Sequence, residues 1–256
     1  MAFAPVVLYT DALLWLPAIA AARRSIYVES QYFASRRIAE AIAERLREPN
    51  APDVVVLNPW TAEGWLSEKA MGTARALVLE IVREADVHDR FRLYTPVTEQ
   101  REHIYVHAKL TVIDDRLLRL GSSNVNNRSM GLDTECDLTI EAQGRDDVRE
   151  AIRQLRAGLL GEHLGCEPAR VRETIESAGS LRAAIDELQT NERTLKPLAD
   201  LPTVSPTVLS MVSVADPEKP VALSDLADLL SSDDETTEGP RSPAWGKIAA
   251  FAVVCL

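Results

Sequence analysis

The sequence predicts an α/β fold: a mainly buried mixed sheet flanked by helices, followed by a disordered acidic linker and an apolar tail. Three observations predict it. Apolar and polar residues alternate in helical and strand periods up to about residue 190, with helices between the strands. Asp53–Leu57 (DVVVL) is apolar along almost its whole length, the pattern of a strand covered on both faces. After about Leu201 the periodicity weakens and Pro, Ser, Thr and acids accumulate.

The elements follow in order. Met1 to Ala22 is apolar but lacks a positive leading region, contains Asp11 and runs into Arg23-Arg24. It therefore reads as the start of a folded unit rather than a secretory signal, with Asp11 capping a helix through Ala22. Ser25–Glu29 (SIYVE) is a strand. Ser35 caps an amphipathic helix from Arg36 to Arg47, stopped by Pro49. The strand Asp53–Leu57 leads to a long helix from about Gly64 to Ala85, then a strand Phe91–Val97. His107 to Asp114 and Leu117 to Leu120 read as two strands joined at Asp115-Arg116. Glu135–Glu141 is a further strand, and helices dominate from Asp147 to about Leu188. The domain bounds drawn are 1–200 for the folded unit, 201–244 for the linker and 245–256 for the tail. A short helix at Val221 to Leu230 is allowed for within the linker. The tail, Trp245–Leu256 (WGKIAAFAVVCL), is well short of the roughly 20 residues that span a bilayer. Two readings of it compete: a plain amphiphilic end, or the beginning of a membrane helix in a longer protein, with Trp245 and Lys247 at the interface.

Charge narrows the function classes. The formal net charge is −11 over 256 residues. Residues 212–240 hold eight carboxylates against Lys219, so most of the negative charge lies in the linker and the body is only mildly acidic. An acidic body is a poor match for a nucleic-acid track, which wants a basic stripe, but a few local cations suffice for one phosphate. The three cysteines, Cys136, Cys166 and Cys255, are far apart, with none of the paired spacing of zinc or thioredoxin-type sites. They read as buried or free thiols of a reducing compartment.

The chemistry concentrates between His107 and Glu135. Strand alternation puts His107 and Lys109 on one face. The lysine supplies a point charge for an anion, and the histidine can attack phosphorus or move a proton. Gly121 permits a tight passage from strand to loop. Ser122 and Asn124 share the same-face spacing and offer donors to phosphate oxygens; Arg128 and Ser129 extend the polar set. Glu135 is positioned to bind the second ring nitrogen of His107 and raise its basicity. Each residue alone is weak, since a lone His or Lys is more often structural or solvated.

Together, H-x-K-x4-D, six intervening residues and G-S-x-N resemble the signature of the phospholipase D superfamily, carried here by His107, Lys109, Asp114, Gly121, Ser122 and Asn124. Ile26–Phe33 (IYVESQYF) resembles the segment that precedes the C-terminal copy of that motif in two-motif members, with Ser30 in place of Asn. Leu13 to Leu188 looks like that C-terminal half. Asp216-Pro217-Glu218 and the apolar ending look like bacterial members that continue into a membrane domain. The resemblance implies a cytoplasmic bacterial chain, or one at the cytoplasmic face of a membrane, acting on a phospholipid. It implies His107 as nucleophile or general acid, Lys109 and Asn124 on the phosphate oxygens, Ser122 orienting the site and Glu135 paired with the imidazole. Asp114 is grouped with the catalytic set as the motif's acid. Its odd offset from His107 points it away, toward a structural bonding role. Glu29 and Gln31 are assigned to the substrate groove, against the simpler reading that Gln31 only ends a strand. His88, His103 and His163 lack a lysine two residues on and are given surface or loop roles, with His103 near enough to reach the groove.

The implied reaction is ping-pong, through a phosphohistidine, and needs no metal or cofactor. It needs two His-Lys pairs, and this sequence has one. The second half-site must come from a missing N-terminal half, a two-fold homodimer or a separate chain; the resemblance to a second half favours the first. Hydrolysis or transfer of phosphatidyl groups leads. Cardiolipin-synthase-like transfer, and an inactive half or binding module, are the alternatives.

Overall fold

A computed structural model describes residues 6–8, 12–61, 65–198 and 216. Its centre is an eight-stranded mixed sheet. In chain order the elements are β1 (Val6–Leu8), α1 (Ala12–Ala21), β2 (Ser25–Ser30), α2 (Arg36–Leu46), β3 (Asp53–Leu57), α3 (Trp65–Ala85), β4 (Phe91–Val97), β5 (Lys109–Ile113), β6 (Leu117–Gly121), α4 (Asn127–Gly131), β7 (Asp137–Glu141), α5 (Asp146–Leu164), α6 (Pro168–Ala178), α7 (Leu181–Leu188) and β8 (Thr194–Pro197). The strand order is β1-β7-β6-β5-β2-β3-β4-β8. β2, β3 and β4 run parallel, joined through α2 and α3, and all other neighbours are antiparallel.

The period of two along the central strands sorts the core into two layers. Ile26, Val28, Val54 and Val56 point to one face, where they meet Trp15 and Ile19 of α1, Ile38 and Ile42 of α2, and Leu79 and Val82 of α3. Tyr27, Val55, Leu57 and Val112 point to the other, against Leu160 and Leu164 of α5, Val171 of α6 and Ile185 of α7. β3 is buried at all five positions, as its apolar run requires. Ion pairs pin the layers at the sheet margins. Asp115 takes Arg156 of α5 bidentately at 2.7 and 2.8 Å. Asp137 takes Arg119 at 2.6 Å, and that guanidinium also lies 5.3 Å from the Trp15 ring centroid.

Several expected boundaries move. The strand expected over His107 to Asp114 is only Lys109–Ile113, and that expected over Glu135–Glu141 begins at Asp137. Ser35 stands at the N-cap of α2 with extended backbone, but its side chain makes no capping bond. β1, α4 and β8 were not expected. β8 and β1 occupy the sheet's two margins, and three or four residues are too few to carry a readable period. The Asp11 cap, the acidic linker and the apolar tail fall outside the described residues, except for Asp216, which is buried. Among the described residues no helix is long and apolar enough to cross a membrane.

Candidate active site

The parallel strands β2 and β3 end at one margin of the sheet, and β5, antiparallel to β2, starts there, with Ser30 opposite Lys109. Strand ends are where side chains leave the packed sheet, so this margin gathers polar groups. The loop after β6 is laced to the same margin. The backbone N–H of Val125 donates to Ser30 Oγ (3.2 Å), and its carbonyl accepts from the N–H groups of Ala34 and Ser35 at 2.7 and 3.1 Å.

Lys109 is half-buried at the start of β5. Its Nζ donates to Gln31 Oε1 at 3.2 Å and to the carbonyl of His107 at 3.0 Å. Gln31 is buried and in turn donates through Nε2 to the Tyr105 hydroxyl at 2.8 Å and the Tyr32 hydroxyl at 3.3 Å. Both acceptors of the ammonium are neutral, and no described carboxylate lies within ion-pair distance of it. Burial pushes the Lys109 pKa down, with the charge of Glu135 acting in the opposite sense.

Gly121 closes β6 where no side chain fits. A Cβ there would overlap Asp137 Oδ1 and the Cys136 carbonyl, and would sit 2.6 Å from Asp137 Cα. Beyond it the chain bends, so Ser122 and Asn124 are placed by the loop and not by strand alternation. Ser122 is exposed. Its hydroxyl donates to Glu135 Oε2 at 2.5 Å and accepts from the Cys136 N–H at 2.9 Å. Ser123 points inward instead, onto the buried carboxylate of Asp137. Asn124 Oδ1 is buried without a hydrogen-bond partner among the described residues.

His107 stands two residues before β5 and is exposed, its ring stacked on Tyr105 at 6.3 Å between centroids. The expected pairing with Glu135 is not made; that carboxylate is taken by the Ser122 hydroxyl. His107 and Lys109 are brought together by the lysine reaching back to the histidine's carbonyl, because only Lys109 belongs to the strand.

Asp114 lies at the far end of β5, in the turn to β6. Its carboxylate accepts the backbone N–H groups of Arg23, Arg24 and Ser25 at 2.9, 2.7 and 3.0 Å, tying the turn to the entry of β2. It does not touch His107 or Lys109. Glu29 does not join the site either. It pairs with Leu110 in register and shares that residue's face, the one opposite Lys109. There it accepts the Tyr27 hydroxyl and faces His163 Nε2 at 3.3 Å. Burial first, and Glu29 second, push the Tyr27 hydroxyl well above its ordinary range, so it stays a donor. His163 is therefore partly buried against the sheet rather than free at the surface. His103 stacks on Trp60 at 4.6 Å, with Lys196 over the opposite partner of that stack, and burial followed by the Lys196 charge lowers its pKa. Arg128 spends its guanidinium on Asp133 at 2.8 Å, and Ser129 is buried in α4.

Three contributors escaped the sequence reading. Asp137 anchors both Arg119 and the Ser123 loop. Asn58, fully buried at the end of β3, donates to the Ser30 carbonyl at 2.6 Å. Asp216, noted in the sequence only as part of Asp216-Pro217-Glu218, bonds the loop just after Asn124; that contact spans 90 residues, beyond any local pattern.

Residues 16–157 match the family model described as "Cardiolipin synthase, PLD-like domain". A phospholipase D zeta 2 of Arabidopsis thaliana is 25% identical over 204 residues, covering 59% of this chain and 20% of that protein. The chain thus spans about a fifth of that relative's length. Among solved structures, a phosphatidylserine synthase of Haemophilus influenzae matches with TM-score 0.46 and 14% identity over 70% of this chain and 46% of that one. The phospholipase D family member Nuc of Salmonella typhimurium matches with TM-score 0.43 and 17% identity over 57% of this chain and 89% of that one.

Proposed function

Because the chain belongs to the phospholipase D superfamily, we propose that it supplies one half-site of a phosphodiesterase that hydrolyses or transfers phosphatidyl groups of glycerophospholipids. The observation that carries this reading is Lys109: a half-buried ammonium held by two neutral oxygens, its charge left for an incoming anion. Asn124 at the end of the neighbouring loop and Ser122 at its rim support it. In the proposed reaction the His107 ring attacks phosphorus, the P–O bond to the leaving alcohol breaks, and a phosphohistidine forms. A histidine of a second half-site protonates that alcohol, then takes a proton from water or another alcohol as it attacks and frees His107. Lys109 and Asn124 hold the phosphoryl oxygens as charge builds. For that step the Glu135 carboxylate is proposed to leave Ser122 for the ring of His107. Transfer to an alcohol is the second reading, favoured by the description of the matching family model.

The test is phosphatidylcholine hydrolysis by the purified chain, with its mass measured by light scattering in the same sample. Activity in a dimer that vanishes with His107→Ala supports a site completed by two-fold pairing. An inactive monomer that gains turnover when a first-motif half is supplied supports the half-enzyme reading. Turnover that survives His107→Ala overturns the role of that residue.

A further inference from the structure

The loop that carries Asn124 is held on three sides. Ser123 is bound by Asp137, and Val125 is bound by Ser30, Ala34 and Ser35. The third holder is Asp216. Its carboxylate accepts from Asn126 Nδ2 at 2.9 Å and from the backbone N–H groups of Asn127 and Arg128 at 3.0 and 2.8 Å. Its carbonyl accepts from Asn127 Nδ2 at 3.1 Å. The residue is 2% exposed. A buried carboxylate is costly unless its lone pairs are filled, and here every donor that fills them comes from the three residues that start two positions after Asn124. Burial pushes the Asp216 carboxyl up, and the same donors pull it back.

We propose that Asp216 is a positioning residue of the phosphate site: it fixes Asn126, Asn127 and Arg128, and so aims Asn124 at the anion that Lys109 attracts. The role rests on the phosphodiesterase reading above. Asp216 touches no substrate itself. It acts at the outgoing end of the Asn124 loop, whose incoming end is already anchored by Gly121 and Asp137. Without it the loop keeps only its holds at Ser123 and Val125, and the residues from Asn126 to Arg128 lose theirs.

The experiment uses the full chain, with inorganic phosphate as probe and the Asn127 and Arg128 amide signals followed by NMR. Asp216→Asn is nearly isosteric but turns an N–H2 toward N–H donors; Asp216→Ala serves as the second variant, and thermal unfolding checks that each is folded. Asp216→Asn is expected to speed amide exchange at Asn127 and Arg128 and to weaken phosphate binding about tenfold, on the scale of a small misplacement of a site group. In an Asn124→Ala background the same change is expected to have little further effect, because both act through one contact. Unchanged amide exchange overturns the clasp. Faster exchange with unchanged phosphate affinity, or an equal loss in both backgrounds, overturns the positioning role and leaves a purely structural cap. Absence of phosphate binding by the unaltered chain overturns the functional reading itself, and the positioning role with it.

Discussion

Replacing the motif's acid separates structure from chemistry. Asp114 accepts three backbone N–H groups, two in exposed surroundings and one partly buried. It also sits at φ 54°, followed by Asp115 at φ 54°, with Arg116 N–H bonded to the Ile113 carbonyl at 2.9 Å. Positive φ at both central positions is what a primed hairpin turn requires, and Asp tolerates it better than Ala does. In Asp114→Ala, solvent replaces part of what the exposed bonds contribute, so their loss costs about 2–3 kcal/mol together. The left-handed backbone adds about 1 kcal/mol. With a urea m-value of about 2 kcal/mol/M, the unfolding midpoint falls by about 1.5 M. Asp114→Asn keeps the turn preference and one acceptor oxygen, so its midpoint falls by about half as much. Urea unfolding followed by circular dichroism measures both, and turnover per folded molecule is expected to stay near the unaltered value. An Asp114→Ala variant with an unmoved midpoint but no turnover would refute the reasoning and put the acid into the chemistry.

Three further outcomes are expected. His107→Ala lowers turnover by about 10³-fold or more while its melting temperature holds, because the exposed ring makes no hydrogen bond among the described residues; a large loss of stability would give it a structural role. Lys109→Met abolishes phosphate binding without lowering stability at neutral pH. The sign follows from the depressed pKa: the unfolded chain holds the proton more tightly, so the lysine disfavours folding below its folded pKa. That penalty fades as pH rises from the folded pKa toward the ordinary lysine range. A Lys109→Met protein whose melting temperature drops at pH 7 would count against this. Gly121→Ala drives a Cβ into Asp137 and Cys136 and costs about 2–3 kcal/mol, measured by thermal or urea unfolding; a neutral effect would show that the loop gives way.

The central elements were legible because their signals are local. The apolar run of Asp53–Leu57 and the period of α2 each carry their own element, and the strand Phe91–Val97 and the helices after Asp147 were visible in the same way. The motif residues were legible as chemistry, because no packing argument asks for a histidine, lysine and asparagine at that spacing. Their geometry was less so. Strand alternation placed His107 beside Lys109, but the strand begins only at Lys109, and Lys109 reaches back to the histidine's carbonyl. Glu29 was assigned to the groove together with Gln31 from the family resemblance. The pleat sends it to the opposite face, while Gln31, one residue past the strand, turns to Lys109.

By itself, then, the sequence determined the α/β class, the order of the main elements and the family signature, since each is written within a few consecutive residues. Only the tertiary structure decided which partners those residues take. Asp114 on the amides before β2, Glu29 with His163, Glu135 with Ser122 and Asp216 with the Asn124 loop are all contacts between separated stretches of chain. Such pairs are chosen by which strands and loops lie side by side once the sheet is assembled, and by the cost of leaving a buried carboxylate or N–H unpaired there. Neither leaves a local pattern to read.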